Sequence, residues 1–237
     1  PLQVVDRLIK GDIHYYQVTF PEGSNIFDIA RIASQTGVAS EEKILELVQG
    51  KEGFLFPAVY RYTRGTTINQ LIQQMEARFH LAWKEAGGKD QHNQKALVTL
   101  ASLIEKEAKV PDERATIASV YQNRLDRNMR LDCDPTVIYA ALLIGKYRGT
   151  IYRSDLDRES PYNTYRVTGL PPGPIANPGL DSLKAALNPA KTDYLFFVAF
   201  PDGSGRHAFS STMGEHNRAV EEYRKGIQAQ KTQSTAR

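Results

Sequence analysis

A single cysteine, Cys133, stands among 237 residues, so no disulfide can form within the chain and a site built on several thiolates is excluded. Thiol catalysis is not expected, and cysteine usage leaves the redox compartment undecided. No apolar run reaches the length of a membrane span, and no signal-peptide pattern is present. The five histidines, His14, His80, His92, His207 and His216, lack the short spacings that put two ligands on one helix face or turn. No metal and no other cofactor is therefore expected. Thirty Lys and Arg stand against 27 Asp and Glu, and no basic run is long enough to follow a phosphate backbone, so nucleic acid is not an expected partner. No phosphate-loop Lys-Ser/Thr accompanies Gly203 and Gly205, no nucleophile elbow surrounds Ser102, Ser210 or Ser211, and no internal repeat is visible.

What remains is a chain with 41% hydrophobic residues, enough to fill the core of one large domain or two modest ones. The first stretch reads as strand, helix, helix, strand. Residues 15–20 are aromatic and β-branched, Pro21-Glu22-Gly23 turns, and Ser24 can cap a helix carrying Ile26, Phe27, Ile29, Ala30 and Ala33. Ser40 opens a second short helix that Gly50 stops, and residues 54–62 look extended around Pro57. Residues 66–84 form a longer amphipathic helix, 85–94 a polar linker, and helices follow at about 95–109, 112–128 and 135–145, the last capped by Asp134. Between Ser160 and Gly179 lie five prolines and three glycines among tyrosine and asparagine, the composition of an ordered loop lining something. A short helix at 181–187, a hairpin around 201–205 and a closing helix with a Thr212/Glu215 capping box complete the reading.

The informative segment is ALVTLASLIEKEA, residues 96–108. On a helical wheel Leu97, Val98, Leu100, Ala101, Leu103, Ile104 and Ala108 share one arc, with Thr99, Ser102 and Lys106 opposite. Glu105 and Glu107 fall inside the apolar arc on opposite flanks, where a carboxylate is costly unless paired or put to use. Glu107 lies in the last turn before Val110-Pro111. Apolar neighbours and the negative helix end both favour its protonated form, as a general acid at neutral pH requires. Glu105 is better placed to meet an arginine such as Arg114 or Arg124. A structural ion-pair role for either glutamate stands beside the catalytic one.

Taken together, EGFLFPAVYRY (52–62), LASLIEKEA (100–108), ASVYQNRL (118–125), MRLDCDPTVIYA (129–140), the 160–189 segment and HNRAVEEY (216–223) resemble the endolytic murein transglycosylases of the YceG-like (MltG) family. The resemblance runs over nearly the whole chain. It implies an α+β fold: a small LysM-like βααβ subdomain at 1–64, then at 65–237 a mainly helical, lysozyme-like catalytic domain with a short β-hairpin. The 20–24 turn departs from the usual LysM pattern, which puts glycan binding by that unit in question. The family's catalytic glutamate lies in the Glu-Lys-Glu run, and Lys106-Glu107-Ala108 fits the register of a lysozyme-like active-site helix better than Glu105 does. Asn123, Arg124, Tyr162, Asn163 and Tyr165, with Glu105, match cleft positions that would bind sugars or support the acid. The implied partners are peptidoglycan glycan strands and peptidoglycan synthases. The implied location is the bacterial inner membrane, through one N-terminal helix that would precede Pro1, with the catalytic part in the periplasm or outside the cell. The rivals are a muramidase-type hydrolase, a non-catalytic peptidoglycan-binding or scaffold protein, and, last, a nucleic-acid module.

Overall fold

The computed structural model describes residues 14–89 and 93–235; the opening of the expected N-terminal unit and residues 90–92 of the expected linker lie outside them. The architecture is α+β, mostly helical with two small sheets. The strand, helix, helix, strand order expected at the start is present: β1 (Tyr16–Thr19), α1 (Ile26–Ser34), α2 (Glu41–Val48) and β2 (Val59–Tyr62). β1 and β2 pair antiparallel, Tyr16 opposite Tyr62 and Thr19 opposite Val59. Ser40 caps α2, its side chain accepting the Lys43 N–H. α1 is capped by Asn25 rather than Ser24, because the amide oxygen of Asn25 reaches the N–H groups of Phe27 and Asp28 while the Ser24 hydroxyl donates back to the Pro21 carbonyl.

The stretch before β2 is not extended as expected. Its backbone groups are taken elsewhere: the Leu55 N–H donates to Asn177 Oδ1 at 2.8 Å, and the Phe56 N–H to the Met75 carbonyl. Gly53 sits there at φ +87°, and a Cβ at that position would lie 2.4 Å from Pro174 Cγ, so a glycine is required twice over.

Helix α3 (Ile68–Glu85), opened by a Thr67/Gln70 capping box, serves two cores. Leu71, Ile72 and Met75 pack with Phe20, Ile29, Ile44 and Leu55 of the small unit. Phe79, Ala82 and Trp83 pack into the larger core with α4 (Gln94–Glu107), α5 (Arg114–Asp126) and the loops that follow. α5 is shorter than the expected 112–128, since Pro111–Glu113 forms a separate 3₁₀ turn.

α4 is buried on nearly every side. Thr99 and Ser102, expected on an exposed polar face, are 2% and 0% exposed. Their hydroxyls are satisfied within the fold: Thr99 donates to the Lys95 carbonyl, and Ser102 donates to Thr99 O while accepting the Ile175 N–H at 3.1 Å. The proline-rich loop therefore crosses this helix instead of leaving it to water.

The chain closes with α6 (Asp134–Leu143), α7 (Arg153–Leu156), α8 (Leu180–Leu187), the hairpin β3 (Phe196–Ala199) with β4 (His207–Ser210), and α9 (Met213–Thr235). The Thr212/Glu215 box is formed, with Glu215 accepting from Ser211 and Thr212 and Thr212 accepting in return.

Candidate active site

Glu107 is the last residue of α4, where the backbone leaves the helix at Ala108. Its carboxyl is half-buried. Oε1 receives the thiol of Cys133 at 3.4 Å, from the residue immediately before α6. Burial pushes the Glu107 pKa up and the charge of nearby Asp134 adds to this, while the Cys133 thiol, His207 and Tyr121 act against it. Asp134 in turn accepts the Tyr165 hydroxyl at 2.7 Å. The expected cap of α6 is thus displaced by one residue: Cys133 occupies the cap position and Asp134 begins the helix, its side chain committed to Tyr165.

His207 reaches this neighbourhood from β4. Its Nδ1 lies 2.8 Å from Glu113 Oε2, and its own N–H donates to Glu113 Oε1 at 3.0 Å, so a mostly buried carboxylate fixes the ring. His207 was assigned no role from sequence, because nothing in the spacing of 107, 113 and 207 announces that β4 folds back on the end of α4.

Glu105 faces elsewhere. Oε2 accepts the Gly179 N–H at 2.9 Å, and Oε1 stands 4.0 Å from Arg114, whose Nε donates to Ser182. Arg124, the other expected partner, does not take part. Glu22 sits beside Glu105, and burial followed by the Glu105 charge raises its pKa. Lys106 donates to the Gly23 carbonyl at 3.1 Å, so α4 holds the 20–24 turn of the small unit through Lys106 while Glu105 holds the backbone at Gly179.

The remaining sequence-derived positions divide. Tyr165 holds Asp134, whose charge acts on Glu107. Tyr162 lines a cavity of about 580 Å³ with Phe27, Glu52, Lys95, Tyr139 and Pro174, between the small unit and the larger one; Glu107 is not in its wall. Asn163 is fully buried, and its amide donates to the carbonyls of Leu156 and Arg158, so it fastens the loop and has no surface to offer a sugar. Asn123 donates to the carbonyls of Thr192 and Tyr194. Arg124 donates to those of Leu195 and Leu131 and lies 5.2 Å from the Phe196 ring centroid. Both tie the β3 approach to α5, a supporting task.

Glu52, which sequence reasoning passed over, is a second buried carboxyl, 7% exposed. It accepts the Ile26 N–H at 2.9 Å and the Asn177 amide at 3.0 Å, and it meets the Tyr139 hydroxyl; burial raises its pKa to about 7. A lone glutamate beside Gly53 carried no periodic signal.

A carboxyl biased toward its acid form at a helix end, beside an exposed aspartate, a tyrosine and a carboxylate-held histidine, is equipment for general acid–base catalysis. The chain belongs to the YceG-like family, whose model matches residues 1–222. It is 38% identical over 253 residues to the endolytic murein transglycosylase of Bacillus subtilis, covering 93% of this chain and 69% of that protein. It is 35% identical to the Streptococcus pneumoniae protein of the same name over 73% of this chain but 32% of that protein. The 2.6 Å crystal structure of a yceG-like protein from Listeria monocytogenes superposes with a TM-score of 0.73 at 33% identity, covering 91% of this chain and 80% of that one.

Proposed function

We propose that this chain is a lytic transglycosylase that cuts peptidoglycan glycan strands within their length, with Glu107 as both acid and base. The observation that carries the reading is the half-buried Glu107 carboxyl at the end of α4, with its proton affinity raised by burial, in a chain similar throughout to proteins named for this activity. Glu107 protonates the oxygen of the MurNAc–GlcNAc bond, and that C1–O bond breaks as an oxocarbenium-like state develops. The C6 hydroxyl of the same sugar then bonds to C1 and returns its proton to Glu107. The product carries a 1,6-anhydroMurNAc end, and one carboxyl suffices because the nucleophile is already tethered.

The remaining parts of the proposal rest on the resemblance. The small βααβ unit is LysM-like, the cuts set the length of nascent strands beside peptidoglycan synthases, and the protein acts outside the cytoplasm from the inner membrane. Among the described residues, no helix is long and apolar enough to cross a membrane. A second reading, a muramidase-type hydrolase, draws on Asp134, a carboxylate whose charge acts on Glu107 and which could direct water.

Digestion of purified peptidoglycan separates these readings. Anhydro ends, identified by mass spectrometry and lost with Glu107→Gln, support the proposal. Reducing ends support the hydrolase, and absence of cleavage on nascent uncrosslinked strands supports a binding or scaffold protein.

A further inference from the structure

Tyr121 of α5 is among the largest side chains wholly inside the protein, 1% exposed, and its ring packs edge-on to Phe197 at 6.0 Å. Its hydroxyl is close enough to interact with both Cys133 and Glu107, yet it forms no well-directed hydrogen bond to either. A buried phenol without a partner is costly and uncommon in a folded protein. Cys133, equally buried, already donates its thiol to Glu107 Oε1. Burial and the Glu107 charge hold that thiol well above its ordinary pKa, so it remains a neutral donor. Two neutral donors from different elements thus stand on the protein side of one carboxyl.

We propose that Tyr121 and Cys133 are positioning residues for Glu107, oriented to receive the carboxylate that forms when its proton passes to the glycosidic oxygen. This rests on Glu107 being the acid. The Tyr121 hydroxyl, without a hydrogen-bond partner among the described residues, is free to turn to that carboxylate. Once Glu107 ionises, thiol and phenol both donate to it, and the developing charge meets dipoles held by two buried side chains. The titratable groups facing the same carboxyl are Asp134 at the start of α6 and His207 of β4, the latter held by Glu113; Arg124 acts on Tyr121 from its own helix.

The sign is fixed. Donors stabilise the ionised form and lower the Glu107 pKa, so removing one raises it. Activity that needs protonated Glu107 falls as pH rises through that pKa, so the alkaline limb of the rate profile moves to higher pH.

The test compares wild type, Tyr121→Phe, Cys133→Val and Cys133→Ser by the pH profile of peptidoglycan cleavage and by NMR titration of the Glu107 carboxyl, with Glu107→Gln as control. Tyr121→Phe deletes a hydroxyl with no resting partner and is expected to fold normally. It and Cys133→Val are expected to move the alkaline limb and the Glu107 titration upward by about half a pH unit or more, whereas Cys133→Ser retains a donor and restores the wild-type position. A merely structural role would change stability or total rate and leave both positions unmoved, and that result overturns the inference while Glu107→Gln remains inactive. Cleavage surviving in Glu107→Gln overturns the functional reading itself, a separate failure.

Discussion

Glu105 and Glu107 leave the same turn of α4 in different directions, Glu105 to the Gly179 N–H at 2.9 Å and Glu107 to the Cys133 thiol at 3.4 Å. One carboxylate joins two parts of the fold. The other is half-buried, with exposed Asp134 nearby.

Glu107→Gln is expected to reduce cleavage by on the order of 10²–10⁴-fold, the usual contribution of a positioned general acid. Thermal unfolding should show no loss of stability, because the amide removes a carboxyl that burial disfavours in its charged form. Glu105→Gln should behave oppositely, lowering stability by about 1–3 kcal/mol through the weakened Gly179 and Arg114 contacts while retaining anhydro-end formation. Parallel calorimetry and product analysis of the two variants read both effects.

Glu52 makes stability depend on pH near neutrality. Its folded pKa, about 7, lies above its ordinary value of 4.5, so its contribution is complete below about pH 4.5 and is lost as pH rises through about 7. Denaturant unfolding at a series of pH values should show stability declining across that window by no more than a few kcal/mol. Glu52→Gln should flatten the decline.

Asn177 is a hub between the loop and the small unit. Its side chain accepts the Leu55 N–H and donates to the Ser24 carbonyl and to Glu52, all buried. Asn177→Ala leaves the Leu55 N–H without its partner and takes one donor each from the Ser24 carbonyl, which keeps the Asn177 backbone N–H, and from Glu52, which keeps the Ile26 N–H; it is expected to cost about 1–3 kcal/mol in unfolding free energy. Asn177→Asp should also destabilise, since it sets a second carboxylate against Glu52.

Gly53→Ala places a methyl group 2.4 Å from Pro174 Cγ on a backbone at φ +87°. The expected result is destabilisation of about 1–3 kcal/mol from the left-handed conformation, with added strain from the overlap. Hydrogen exchange should show weakened protection at Leu55, whose N–H is fixed next to the displaced turn.

Much of the helical framework was legible in the sequence, because its signals are local. Apolar spacing marked α1, α3 and α4, and short-range chemistry placed the caps at Ser40 and Thr212. The same periodicity exposed Glu105 and Glu107 as carboxylates on an apolar arc, sending them to opposite flanks. Where local signals competed, neighbouring residues exchanged roles, as Ser24 with Asn25 and Asp134 with Cys133.

The sequence by itself determined that α4 carries two carboxylates on its apolar arc and that one lies in its last turn. Tertiary structure alone decided what each one meets. Cys133 from before α6, Tyr121 from α5 and His207 from β4 come to Glu107, while Gly179 from before α8 and Arg114 from the start of α5 come to Glu105. The burial of Thr99 and Ser102 likewise required knowing that the 175 backbone would cross α4 and supply a donor. Helical period and capping depend on residues a few positions apart; desolvation and hydrogen-bond partnership depend on which distant segments pack together, and that is where a carboxyl's proton affinity is set.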